Sequence, residues 1–356
     1  MQVEELTNEE EWEHFVATSQ DGTFYHSLKW KRILEDVFGL ATEYIVIRDS
    51  EGRVAGICPL ALTRGGKLFN IIASLPHSDF GGPIFREGVE SEAASALRGY
   101  LIWNRRLHSV AYARIRCSSR DTVNYLDTRG AKVDASMGTM NLDLLETSLD
   151  DLWNHVYNRQ TRQRTKIRRV ERDGFQSIVA DKITDLKIFY QLYHHNMTHI
   201  GASPHSWSFF QKVWDLLYPE YFNVILIANG HHCIGGQAFF IYPPRKAIYK
   251  AYIGIDRNAS TRYQLYFYLS WSLLKWAESQ DLHRISFGGT PANAQSVNYT
   301  QKRQLGAIFH QDYIMYIPID MKQFLLRQSL RWAGLKLRPL LPEKLKRRLY
   351  PAVHGL

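Results

Sequence analysis

Apolar residues recur along this chain with two alternating periods. Over residues 27–38, Trp30, Ile33, Leu34 and Val37 fall on one face of a helix. Apolar runs at 43–48 and 54–62 then flank the polar turn Asp49-Ser50-Glu51-Gly52, which predicts two paired strands. A short acidic helix is expected before them at 9–17. Strands are expected after them at 69–74 and 110–116, with a helix between at about 89–107. A short helix at 121–128 ends before Gly130 in the helix-stop position, and a strand follows at 140–144.

The same order then returns. Strands are predicted at 221–228 and 233–242 around Asn229-Gly230, and at 247–253. A long helix at 262–279, a strand at 284–287, a helix near 294–304, Gly306 and a strand at 308–317 complete the series. Val54-Ala55-Gly56 and Ile234-Gly235-Gly236 lie 180 positions apart, and Gly130-Ala131 and Gly306-Ala307 lie 176 apart. Two nearly equal offsets imply that one α/β unit with mixed sheets occurs twice. The expected organisation is a first unit at 1–150, a second at 151–320 and a basic tail at 321–356.

The 356 residues are 45% hydrophobic and 22% charged, enough to bury a core and unlike a disordered chain. Lys and Arg number 44 against 35 Asp and Glu, a net +9 that points to a polyanionic partner. The excess is concentrated. Residues 158–172 contribute +6 and residues 322–356 contribute +8, so the remainder sums to −5. If 322–338 is helical, Leu326, Leu330, Ala333 and Leu337 share one face, and Arg327, Arg331 and Arg338 the opposite one. Such a helix suits an anionic membrane surface, or packs its apolar face on the body of the protein. Cys58, Cys117 and Cys233 are widely spaced, which argues against a disulfide framework or a zinc ribbon and for a reducing compartment. The acidic start of the chain has no apolar stretch, so no signal peptide is expected. No apolar run approaches the roughly 18 residues of a membrane span. A cytoplasmic protein, peripheral at most on the inner membrane face, is the expectation.

Phosphate loops of the G-x-x-x-x-G-K-[ST] type, G-x-G-x-x-G fingerprints and G-x-S-x-G elbows are absent from the sequence, which argues against P-loop ATPases, dinucleotide dehydrogenases and α/β-hydrolases. His195 and His199, with His194 beside them, have helical i, i+4 spacing. They lack the glutamate of H-E-x-x-H and a third ligand, so no metal site is assigned.

The ordered stretches that carry the most information are Ser74-Leu75-Pro76 with Gly81-Gly82, Arg172-Asp173-Gly174, Lys275-Trp276-Ala277, Phe287-Gly288-Gly289, and Lys302 ahead of Gly306. In this order, with Trp30 on its helix, they resemble the Fem family of aminoacyl-tRNA-dependent peptidyltransferases and the wider GNAT-like acyltransferases. The resemblance covers about residues 20–318. It implies two tandem GNAT-like units and acyl transfer to an amine, usually on a diphosphate-bearing cell-wall precursor. It also implies that Lys302 places the acyl donor and stabilises the oxyanion of the tetrahedral intermediate, as a fixed ammonium is suited to do.

Around Lys302, the substrate-binding candidates are Tyr299 and Arg303 beside it, Tyr249 and Tyr252 on the preceding strand, and His205. Arg159, Arg162, Lys166 and Arg169 recur at i, i+3, i+7 and i+10, so on a helix they would offer one face to a tRNA backbone or a precursor diphosphate. No tightly bound cofactor is expected. The acyl donor would be aminoacyl-tRNA or acyl-CoA, and the acceptor an amine on a phosphate-bearing small molecule or lipid-linked precursor. Two departures from the family bear on these partners. Lys29, Lys31 and Arg32 sit in a different register on the first helix, and His205 stands where relatives carry a cation. Arg257 to Arg262 also replaces the Gly-rich pyrophosphate loop of acetyl-CoA-dependent members, which weakens ordinary acetyl-CoA binding. Two other readings remain in view. One is an acyl-CoA-dependent N-acetyltransferase acting on an amino sugar. The other is a non-enzymatic protein that binds RNA or a membrane surface through its basic segments.

Overall fold

The computed structural model describes residues 1–64, 69–104, 110–157 and 162–337. The chain divides into two compact units. The first holds residues 1–137 and the described residues from 311 onward, and the second holds Gly138–His310.

The first unit begins with β1 (Gln2–Glu5) and α1 (Glu9–Thr18), followed by α2 (Leu28–Arg32), which continues as a π-helical turn to Val37. Asn8 caps α1 by accepting from the Glu11 amide at 3.1 Å, with three glutamates in the first turn, where the helix dipole favours them. Then come β2 (Ala41–Arg48), β3 (Val54–Arg64), β4 (Asn70–Ala73), β5 (Ile84–Phe85), α3 (Glu90–Asn104), β6 (Val110–Cys117), α4 (Arg120–Leu126) and β7 (Lys132–Asp134).

The second unit contributes β8 (Met137–Asp143), α5 (Leu149–Asp151), α6 (Gln163–Arg172), β9 (Gln176–Val179), α7 (Ile183–His199), α8 (Trp207–Leu217), β10 (Phe222–Asn229), β11 (His232–Tyr242) and β12 (Ala247–Ile255). Then follow α9 (Arg257–Arg262), α10 (Leu265–Ser279), β13 (Arg284–Pro291), α11 (Val297–Arg303) and β14 (Ile308–Gln311). β15 (Tyr313–Pro318) and α12 (Met321–Leu337) return to the first unit.

The two sheets have the same plan. In the first, the order is β1-β2-β3-β4-β6-β15-β7, with β5 attached to β3; in the second it is β9-β10-β11-β12-β13-β8-β14. In each, the fourth and fifth strands are the parallel pair: β4 with β6, and β12 with β13. The matched glycines of the sequence take equivalent places. Gly130 (φ +84°) and Gly306 (φ +91°) end the turns that lead into β7 and β14, a left-handed backbone that glycine adopts without the Cβ penalty.

The sixth position separates the structure from the expected boundaries. β8, read as the last strand of a first unit ending at 150, lies in the second sheet. The stretch 308–317, read as one strand of the second unit, is two strands, and β15 lies in the first sheet between β6 and β7. The units therefore meet in sequence at 137/138 and 310/311 rather than at 150 and 320. Periodicity identifies a strand but not its neighbour, so an exchange of equivalent last strands leaves no local trace.

Each unit has its own core. In the first, Ala113, Ile115 and Cys117 of β6 pack with Ala93, Leu97 and Leu101 of α3. In the second, α10 is buried on most sides, through Leu265, Phe267, Leu269, Leu273 and Leu274 among others. β10 and β11 are buried almost throughout rather than on alternate residues, as strands covered on both faces require. Among the described residues no helix is long and apolar enough to cross a membrane.

Candidate active site

The second unit forks at its parallel pair. β12 and β13 are paired only from Ala247–Arg284 to Tyr249–Ser286, and both strands then run on unpaired to each other. Carbonyl groups released by such a parting need new donors. Lys302 supplies them. Ser296 caps α11 by accepting from the Tyr299 amide at 3.2 Å, and the helix brings the buried Lys302 back towards the fork. Its Nζ donates to Gly288 O (3.0 Å), Gly289 O (2.7 Å) and Thr290 Oγ1 (2.8 Å). These bonds occupy all three ammonium protons. The lysine expected to stabilise an oxyanion is thus already committed to β13 through all three bonds.

On the other side of the fork stands Lys250, the first residue of β12 past the paired segment. Its Nζ donates to Ser270 Oγ at 3.1 Å and lies 3.9 Å from the centre of the Tyr266 ring, both on α10. The ring favours an ammonium. Burial acts against it and is the larger influence, and the charge of Lys302 adds to burial, so Lys250 is held well below the ordinary lysine range. An amine so placed gives up its proton more readily than an ordinary lysine does. Lys250 is not among the candidates that the sequence suggests, because its depression comes from burial and from a charge far along the chain.

A bulge at Ala251 sets what else faces this site. Phe239 opposes Lys250 and Ala238 opposes Tyr252, leaving Ala251 as the extra residue. Tyr252 therefore turns away from α10 and packs among Tyr193, Phe209 and Phe210. His205 joins that cluster, 5.3 Å from the Tyr252 ring and 4.3 Å from Phe209, with its amide donating to Tyr193 Oη at 3.1 Å. The structure thus brings His205 and Tyr252 together on the α7 and α8 side of the strand, apart from the lysine pair. Tyr249 is buried in β12, Tyr299 packs against Phe309 at 5.4 Å, and Arg303 is exposed.

The basic segment is only partly the expected array. Arg159 lies outside the described residues. Arg162 has a left-handed backbone (φ +55°) at the N-cap, so α6 starts at Gln163 and the i, i+3, i+7, i+10 face is not continuous. Lys166 turns inward to the Phe267 ring at 4.4 Å, and burial lowers its pKa. Arg169 points out, lining an open groove of about 410 Å³ with Thr165, Arg168, Arg172 and Arg262. Asp173 pairs with Arg262 and accepts from Tyr263 Oη at 2.7 Å, which anchors one wall of the groove. His194, His195 and His199 are exposed on α7, and among the described residues no group of three or more metal-ligating side chains is assembled.

Comparison with known proteins defines the class. Residues 158–296, which include the fork, match the model of the acetyltransferase (GNAT) domain. The structure is similar to FemX at a TM-score of 0.72 and 16% identity, over 92% of this chain and 100% of that one. It is also similar to the C-terminal domain of a protein described as a lysylphosphatidylglycerol synthetase from Agrobacterium fabrum (TM-score 0.60, 12% identity, 90% and 96% covered). A tandem GNAT protein from the clavulanic acid pathway matches at a TM-score of 0.53 and 10% identity over 88% of this chain and 97% of that one. A search of curated proteins by sequence finds no match. The chain carries a GNAT-type acyltransferase domain at residues 158–296. Its overall fold is Fem-like, two GNAT-type units in tandem, as the sequence resemblance implied.

Proposed function

We propose that this protein is an N-acyltransferase that moves an aminoacyl or acyl group onto an amine of a phosphate-bearing cell-envelope or polysaccharide precursor. The reaction takes place in the fork between β12 and β13. The observation that carries this reading is the placement of Lys250, whose pKa burial and the charge of Lys302 hold well below the ordinary lysine range, on one side of the point where the parallel strands part, with Lys302 on the other. As the acceptor nitrogen forms its bond to the acyl carbon, Lys250 takes the proton that nitrogen loses. The oxyanion of the tetrahedral intermediate faces the charge of Lys302. On collapse, the acyl carbon–oxygen or acyl carbon–sulfur bond breaks, and Lys250 returns the proton to the departing alkoxide or thiolate.

The arginine groove beside α6 is the proposed holder of a phosphate-bearing partner, with donor tRNA or acceptor diphosphate sharing that chemistry. The exposed Leu325, Leu326 and Leu330 of α12, within a strongly basic segment, support peripheral contact with an anionic membrane at the cytoplasmic face. The fold likeness to a lysylphosphatidylglycerol synthetase, whose name describes aminoacyl attachment to a phospholipid, is in keeping with an aminoacyl donor. α9 still lacks a glycine, which speaks against a conventional acetyl-CoA pyrophosphate loop. The test is incubation with radiolabelled aminoacyl-tRNA or acyl-CoA in the presence of candidate amine acceptors. Label moved to an amine from one of the two donors identifies that donor. No transfer from either, with salt-sensitive RNA binding intact, favours the non-enzymatic reading.

A further inference from the structure

The first unit carries an arrangement that acyl transfer in the second does not use. Along β6, Ala113, Ile115 and Cys117 face the core beside α3, so Tyr112, Arg114 and Arg116 alternate onto the opposite face. β15 places Tyr316 directly across from Arg114. α12 covers this face. Its Phe324 is buried against Tyr112, 5.6 Å between ring centres, and the Arg327 guanidinium lies 4.5 Å from the centre of the Tyr112 ring. Arg327 turns towards the sheet, and Leu326 and Leu330 are 53% and 48% exposed.

Arg114 lies within electrostatic reach of two further guanidinium groups, those of Arg116 and Arg327. Arg116 has counterparts, Asp312 at 3.5 Å and the Ser78 carbonyl at 3.3 Å. Arg114 is half-buried and has no hydrogen bond or carboxylate partner for its side chain among the described residues. One guanidinium nitrogen of Arg327, Nη1, is buried with no hydrogen-bond partner. Burial lowers the pKa of Arg114, and the charges of Arg116 and Arg327 act in the same direction, partly offset by Tyr316 and Tyr112. Asp312 compensates poorly, because burial raises its carboxyl to about 7 and leaves it partly protonated at neutral pH. Cations drawn out of water without an anion are costly. We infer that Arg114 and Arg327, with Arg116, form a binding site for a phosphate group in the first unit.

Phosphate fits the site better than carboxylate does. Two uncompensated guanidinium groups match a charge of about −2, and a phosphate offers three terminal oxygens to forked donors where a carboxylate has two. The inference rests on the first unit alone, and its test reads binding rather than transfer. The whole protein is titrated calorimetrically with sodium phosphate and sodium pyrophosphate at constant ionic strength. In parallel it is mixed with vesicles of phosphatidylcholine with and without phosphatidic acid.

Wild type is expected to bind at least one of these phosphates, and Arg114→Met and Arg327→Met to bind it at least tenfold more weakly. Exposed Arg129→Met in the same unit should match wild type. Arg114→Lys, which keeps the charge but loses the forked donors, should fall between. Both methionine variants should melt no lower than wild type in phosphate-free buffer, since each removes an uncompensated charge. Binding of the soluble anions alone identifies a soluble phosphate. Arginine-dependent binding of phosphatidic acid vesicles identifies a lipid headgroup. Wild type that binds none of the probes, or variants that bind as tightly as wild type, would overturn the inference.

Discussion

The two forks are built alike and finished differently. In the first unit, the residue after the last pair of β4 and β6 is Ser74. Its amide donates to Arg114 O at 2.9 Å, and its Oγ accepts from the Arg116 amide at 2.7 Å, so a small side chain stitches the strands together past Ala73. In the second unit the corresponding residue is Lys250, whose side chain turns to α10, while Lys302 satisfies the carbonyls of β13 from the other side. A serine closes one fork, and two lysines finish the other without joining its strands. The first unit keeps its charges as permanent guanidinium groups suited to binding, whereas the second places an amine where its proton can be removed. One scaffold occurs twice, and a few residues at the fork distinguish the two copies.

The largest expected effect separates the two forks by function. Lys250→Met should lower acyl transfer by about a hundredfold or more, the range of a lost general base. Ser74→Ala removes the equivalent stitch and leaves the Arg116 amide without its acceptor. It should cost roughly 1–3 kcal/mol of stability with transfer retained within a few-fold. Steady-state transfer and thermal melts of the two variants measure both. Comparable losses of transfer in both variants would remove the distinction.

A smaller effect sharpens the picture of the first unit through its pH dependence. His26 is buried, with Thr23 Oγ1 at 2.8 Å from Nδ1 and Gly82 O at 3.2 Å from Nε2, and burial lowers its pKa to about 4 from 6.5. Its contribution to stability is present above pH 6.5 and lost as pH falls through 4. Asp312 is the opposite case. Burial raises it from 3.8 to about 7, so its contribution is full below 3.8 and lost as pH rises through 7. Between pH 4 and 6.5 the two slopes oppose each other, each worth on the order of 3 kcal/mol. Melting temperature should therefore be nearly flat there in wild type. It should fall with rising pH in His26→Gln and with falling pH in Asp312→Asn. Parallel curves for all three proteins would show that neither group is shifted.

Much of this architecture is legible in the sequence, and the reasons for the rest are physical. The glycine pairs at offsets of 180 and 176 mark the same strands and turns in both sheets, so duplication survives as local conformation. Lys302 could be located because its helix and the Gly288-Gly289 stretch form an ordered pattern. Its three hydrogen bonds could not, since they depend on how β13 leaves its partner. The acidity of Lys250 arises from burial and, after it, from the charge of Lys302, which lies far along the chain. The bulge at Ala251 moves Tyr252 to the other face of the strand, which an alternating pattern does not foresee. On α12, Phe324 meets the sheet and the face of Leu326 and Leu330 is exposed, one of the two placements that the amphipathic periodicity left open.

The proposed mechanism needs Lys250 to lose its proton more readily than an ordinary lysine, under the charge of Lys302, and the titration of Lys250 itself reports this. Its Cε resonance can be followed against pH in protein labelled with 13C-lysine and assigned with Lys250→Arg, with no knowledge of the substrate. A midpoint well below the roughly 10.4 of an ordinary lysine is expected. In Lys302→Met the midpoint should move upward, because removing a neighbouring positive charge makes protonation easier. A Lys250 that titrates with the surface lysines, or that is indifferent to Lys302→Met, would contradict it.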